Sequence, residues 1–116
     1  MTNPIFAAFV RYQGTFIPGV TQTDWWYGVQ PIFPGGSLGT AVYTHTGPQA
    51  NAGLNDIDIN NLQWQVQEGA IGYNIFRKAA VTPNVNPIVI ATDVVWFSAT
   101  AETGIKDKGF PAATRS

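Results

Sequence analysis

Residues 56–77 read Asp-Ile-Asp-Ile-Asn-Asn-Leu-Gln-Trp-Gln-Val-Gln-Glu-Gly-Ala-Ile-Gly-Tyr-Asn-Ile-Phe-Arg. Polar and apolar residues alternate with a period of two, the mark of strands with one packed and one wet face. Ile57 and Ile59 point one way, with Asp56, Asp58 and Asn60 on the other side. Leu62, Trp64 and Val66 share a face opposite Gln63 and Gln65. Beyond the Gly69-Ala70 turn, Tyr73 and Ile75 share a face, with Asn74 and Phe76 opposite. Alternation of this kind belongs to antiparallel sheets, and two such sheets face to face make a sandwich. Trp64 and its neighbours are the expected core, each large apolar side chain contributing roughly 1.5–3 kcal/mol when buried.

The flanking sequence extends the pattern. Pro4, Gly14, Pro18-Gly19, Gly28, Pro31, Pro34-Gly35-Gly36, Gly39, Gly47-Pro48 and Gly53 recur too often for long helices. Short β-branched and aromatic runs lie between them. Strands are predicted at 7–12, 25–30, 40–46, 56–59, 62–66, 73–77, 88–91 and 94–97. The fold class is therefore all-β, an antiparallel β-sandwich. Residues 1–37 alternate weakly and are broken by Pro and Gly, which predicts an extended aromatic arm. The sandwich is expected over 38–111, and a polar tail over 112–116.

Composition narrows the function classes. Charged residues make up 11% of the 116 residues, well under the usual ~25%. Only Arg11 and Asp24 are charged in residues 1–55. That half also holds Phe6, Phe9, Tyr12, Phe16, Trp25, Trp26, Tyr27, Phe33 and Tyr43, so it reads either as a face buried against a partner or as a polar surface of uncharged Thr, Asn, Gln and Gly. A net charge of −1 argues against nucleic acid as partner. The absence of cysteine excludes disulfides, thiolate metal sites and thiol nucleophiles. The apolar run 5–10 is too short for a signal-peptide core, and the Met1 end is expected to be kept. No apolar run reaches the ~18 residues of a membrane span.

The motifs that carry chemistry fall short of an enzyme. Asp56-x-Asp58-x-Asn60 opens like a calcium loop, but Asn61 replaces the turn glycine and Gln67 the bidentate glutamate. The expected role of these residues is the solvent face of a strand, and no metal or other cofactor is expected. His45 is the only histidine, and Ser37, Ser98 and Ser116 lie in no strained Gly-x-Ser-x-Gly turn. His45 reads as a polar strand residue. Gly35-Gly36 is followed by neither lysine nor helix and reads as a turn. Asp24, Glu68, Asp93 and Glu102 are not gathered into a cleft by any spacing, so no glycosidase pair is expected. Trp25-Trp26-Tyr27 carries three readings: a sugar platform helped by Asp24 and Gln22, a subunit interface, or core. Trp25 and Tyr27 are expected on one face and Trp26 on the other.

Leu38-Gly-Thr-Ala-Val-Tyr-Thr-His-Thr46, Asn51-Ala-Gly53, Leu62-Gln-Trp64, Gly69-Ala-Ile-Gly-Tyr-Asn-Ile-Phe-Arg77, Ile90-Ala91 and Thr103-Gly104 form a series. It resembles the fibronectin type III-like, immunoglobulin-like modules of bacteriophage virion proteins and bacterial surface proteins, over about residues 38–111. Ala41 and His45 depart from that pattern, as does the lack of an acidic-Ser turn after Gly53. The resemblance implies a binding or structural module without catalytic residues. The expected function is a structural virion protein, a phage capsid decoration or cement protein located in the virion after assembly in the host cytoplasm. Its expected partners are the major capsid protein, other virion proteins or further copies of itself, and its expected interface is Phe6, Phe9, Tyr12, Phe16, Trp25, Trp26 and Tyr27. The alternative is a carbohydrate- or receptor-binding module of a tail or cell surface. Neither reading involves nucleic acid or membrane.

Overall fold

In the computed structural model, residues 6–14, 22–49 and 58–109 are described. Strand β4 (Ile59–Trp64) lies between β1 (Ala8–Gln13) and β7 (Gly104–Asp107), antiparallel to both. The second sheet runs β3 (Val42–Gln49), β2 (Thr23–Ile32), β5 (Gly72–Ala79), β6 (Phe97–Thr100), again with every neighbour antiparallel. The fold is an all-β antiparallel sandwich, as the alternation predicts.

Between the sheets lie Tyr27 and Val29 from β2, Leu62 and Trp64 from β4, Tyr73 and Ile75 from β5, Ile105 from β7, and Trp96 with Phe97. The rings interlock: Trp64 meets Tyr73 edge-on at 5.5 Å, and Trp96 stacks on Phe97 at 4.3 Å. The Gln67 backbone N–H donates to the Tyr73 hydroxyl at 2.8 Å, which ties the β4–β5 turn to the first turn-side residue of the core. The order β3-β2-β5-β6 makes β2 and β5 the two central strands of the larger sheet. Strand β1, at an edge of the smaller sheet, lies against β3 of the larger one.

Several expectations change in the folded chain. Within 1–37, the described residues 6–14 and 22–37 do not stand apart as an arm: β1 is an edge of the smaller sheet and β2 a central strand of the larger, with Tyr27 and Val29 fully buried. The sandwich thus begins well before residue 38. Pro31, which argued for an irregular segment, sits where β3 has already left β2, their last pair being Val29 and Val42. A missing N–H there breaks no ladder bond.

Where the predicted strands 56–59 and 62–66 fall on described residues, Ile59–Trp64 form one strand, β4, whose inward residues are Asn60, Leu62 and Trp64; 56 and 57 lie outside the described residues. Asn60 and Asp58 are therefore buried instead of solvated. The run 88–91 is a turn, in which the Asp93 N–H donates to the Val89 carbonyl and the Asp93 carboxylate accepts from the Val89 N–H. The strand expected at 94–97 begins at Phe97, and β7 was not anticipated. The predicted tail 112–116 lies outside the described residues.

Candidate functional site

The sequence-predicted interface residues divide by strand face. In β2, Trp25 and Tyr27 turn inward and Trp26 outward, as alternation requires. Tyr27 is 0% exposed, and Trp25 packs against the core with the Arg77 guanidinium 5.3 Å from its ring. Tyr27 is thus enclosed, while Trp25 is partly exposed. Trp26 is partly exposed too, with one face stacked on the His45 ring at 4.0 Å. Phe6 stacks on Tyr73 at 6.0 Å, and the Tyr12 hydroxyl donates to Asp58. Phe9 alone among the described members of the set is freely exposed, at 54%. Phe16 lies outside the described residues.

Asp24 ties the Trp-Trp-Tyr stretch to its neighbours. Its carboxylate is almost completely buried, with one oxygen accepting from the Gly47 N–H at 3.0 Å and paired with His45 Nδ1 at 2.9 Å. The other accepts from the Trp26 indole at 3.0 Å and the Asn84 N–H at 2.7 Å. Burial alone lifts the pKa of this carboxyl. The Asn84, His45 and Trp26 bonds outweigh burial and hold it below its ordinary 3.8. Every acceptor position is occupied, so Asp24 has nothing to offer a hydroxyl-bearing ligand.

The same bonds reach into the connection between β5 and β6. Residues 80–96 exceed the ~12–15 residues beyond which structureless loops become uncommon in compact domains. The connection is nonetheless held. Asn84 is tied to Asp24, the Ala80 N–H to the Asp24 carbonyl, and the Trp96 N–H to the Ile75 carbonyl. Lys78 Nζ meets the Asp93 carboxylate at 3.0 Å. The Val89 N–H and then Lys78 lower the pKa of Asp93.

On this fixed frame four valines face solvent: Val81, Val85, Val89 and Val94, the first 92% and the last 77% exposed. Apolar side chains gathered on one ordered loop mark an interaction surface more often than scattered single ones do. Leu38, Val66 and Ile71 are exposed elsewhere, with Leu38 and Ile71 bonded to the Ile32 end of β2.

The chain matches no family model, no curated protein and no solved structure. Among the described residues, no three of His, Asp and Glu are grouped to hold a metal ion, and no helix is long and apolar enough to cross a membrane. Of the calcium-like motif, Asp56 lies outside the described residues, and Asp58 and Asn60 bond internally: Asp58 accepts from Tyr12, and Asn60 donates to Tyr27.

Sequence reading missed the valine loop because 88–91 and 94–97 were assigned to strands. A signal was present. Pro83, Asn84, Asn86 and Pro87 interrupt the stretch with turn residues, which leaves its valines without a sheet to enter.

Proposed function

We propose that this chain is a structural subunit of a phage-type virion, a decoration or cement protein that attaches to the assembled capsid or to neighbouring subunits. The observation that carries the reading is the 80–96 loop: ordered by Asp24 and presenting Val81, Val85, Val89 and Val94 to solvent. A pre-ordered apolar loop loses little conformational entropy on docking, so more of its buried area appears as affinity. The attachment surface thus moves from the N-terminal aromatics to this loop. The virion assignment rests on the resemblance of 38–111 to phage modules.

Density-gradient fractionation of the native source tests the reading. The chain is expected to sediment with a particle of megadalton size, and recovery only as a free small species overturns the assignment. Val81→Ser with Val94→Ser is expected to abolish co-sedimentation while leaving the melting temperature unchanged.

A further inference from the structure

We propose that the outer face of the β1-β4-β7 sheet binds an acidic polysaccharide. Register places two rows of side chains on this face. Arg11, Asn61 and Lys106 pair across the three strands, and Phe9, Gln63 and Gly104 form the adjacent row. The rows lie roughly 7 Å apart along the strands, and Arg11 and Lys106 are two strand spacings apart, roughly 10 Å.

Two open depressions of about 420 and 750 Å³ occupy the face, inside the ~300–1,000 Å³ range of ligand sites. Asn61 and Gln63 line both, so the depressions are halves of one trough over β4. Gly104 adds no side chain at one end, where a Cβ would meet the Gln63 side chain at 3.5 Å and the Leu62 carbonyl at 3.3 Å. Phe9 stands at the other end, 54% exposed.

The chemistry of the walls selects the ligand. Among the described residues, Arg11, Lys106 and Lys108 line the trough and no carboxylate does, in a chain whose net charge is −1. The trough is cationic against an acidic background, and its occupant is anionic. The cations are sparse, and neutral amides stand between them. A nucleic acid carries a phosphate at every residue and is held by dense cations. Anionic groups separated by hydroxyl-bearing rings fit two cations set apart by Asn61 and Gln63. Gln and Asn amides pair with vicinal hydroxyls as donor and acceptor together. The exposed Phe9 ring offers a face for the apolar side of a sugar. The trough is on the sheet opposite the valine loop, so this inference stands or falls separately from the attachment surface.

Affinity electrophoresis of the full chain tests it, with polygalacturonate as probe and neutral dextran and a single-stranded DNA oligomer as comparisons. Retardation by polygalacturonate and not by dextran is expected. Arg11→Gln with Lys106→Gln is expected to weaken it at least about tenfold, since two charge-assisted contacts are lost. Phe9→Ala is expected to weaken it several-fold, and Lys78→Gln on the other sheet to leave it unchanged.

Titration of the unaltered protein with trigalacturonate, followed by NMR, needs no substitution. Amide shifts are expected at 9–13, 61–63 and 104–108. No retardation of the unaltered chain, a double variant that binds as tightly, or shifts confined to 80–96 each overturn the site. DNA bound as tightly as polygalacturonate, with Phe9→Ala harmless, overturns the polysaccharide in favour of plain polyanion attraction.

Discussion

Asp107 and Asp24 are both removed from water, at 0% and 4% exposure, yet each holds a different part of the molecule together. Asp107, on β7, accepts across the sandwich. The Arg77 guanidinium of β5 lies 2.8 Å from one of its oxygens, and the Tyr27 hydroxyl of β2 donates to the other. Asn60 of β4 donates to the same Tyr27 oxygen at 2.9 Å. Asp24 binds within one sheet and outward, to Gly47 beyond the β3 partner of Trp26 and to Asn84 in the loop. One carboxylate fastens sheet to sheet. The other fastens the outer face of a sheet to the surface proposed for attachment. Loss of the first is a loss of fold, whereas loss of the second is a loss of loop order on an intact fold.

The strongest break in that comparison is Asp107→Ala. It leaves the Arg77 cation buried against Trp96, whose ring centroid is 4.3 Å away, with no carboxylate. Removing one partner of a buried pair costs about 3–5 kcal/mol, a large share of the ~5–15 kcal/mol stability of a domain. Urea unfolding is expected to show this loss. A drop of less than ~1 kcal/mol, the size of an ordinary hydrogen bond, means that the ring faces alone hold the guanidinium and that the two carboxylates are equivalent.

Asp24→Asn is expected to come next, at about 2–3 kcal/mol, because an amide nitrogen then faces two of the donors that the carboxylate satisfied. Hydrogen exchange sharpens the distinction: the Gly47 and Asn84 amides lose protection while those of β4 and β5 keep theirs. The pH dependence follows in sign. The folded pKa of Asp24 is below 3.8, so the unfolded chain binds the proton more tightly. This stability is present above the ordinary carboxylate range and is lost as pH falls through the lower folded value. Asp24→Asn removes that part of the acid transition.

The core carboxylate and the loop carboxylate were unequally legible in the sequence. Alternation in 62–66 and 73–77 identified the sandwich and the inward Leu62, Trp64, Tyr73 and Ile75. It also placed Trp25 and Tyr27 on one face. It misassigned Asp58 and Asn60, because a polar residue on a strand reads as a wet one. Asn60 is inward only since Tyr27, 33 residues earlier, supplies an oxygen for its amide. Asp107 was hidden for the same reason: flanked by Lys106 and Lys108, it reads as solvated, and its partners Arg77 and Tyr27 are 30 and 80 residues away. Periodicity reports a face, while a buried polar group is decided by a partner brought from elsewhere in the chain. The arm was misread because Pro and Gly density says nothing about which side of a strand lacks a neighbour, and that is what admits Pro31 to β2.

Tyr27→Phe separates the hydroxyl from the ion pair inside the core network. The ring packing against Trp96 is kept, while Asp107 and Asn60 each lose one partner, at a cost of about 1–2 kcal/mol. Burial first, and then the adjacent Asp107 charge, push the Tyr27 hydroxyl well above its ordinary value of 10.0. Below that value the hydroxyl is protonated in folded and unfolded chains alike. Above it the folded chain holds the proton more tightly, and stability falls as pH rises toward the raised pKa. Absorbance titration is expected to show one of the four tyrosines ionising only as the protein unfolds, and Tyr27→Phe removes that late step. If no tyrosine ionisation is held back until unfolding, or if Tyr27→Phe leaves the late step in place, water reaches Asp107 and the contrast with Asp24 narrows.

The smallest effect is expected at the loop itself. Lys78 and Asp93 meet at 3.0 Å, but both are in contact with solvent, where screening and the ordering of a long side chain cancel most of the attraction. Lys78→Gln is therefore expected to leave the urea midpoint and the Asn84 amide protection unchanged at physiological salt. Asp93 keeps its bond from the Val89 N–H whichever residue occupies position 78, so the turn at 89–93 persists. This variant discriminates between two ways of ordering the valine surface. If Lys78→Gln loosens Asn84 as much as Asp24→Asn does, surface charge holds the loop, and raising the salt concentration must release it in the unaltered protein too. If it does not, the order comes from backbone N–H groups gathered on one buried carboxylate, and the surface that Val81 and Val94 present keeps its shape whatever the ionic strength around it.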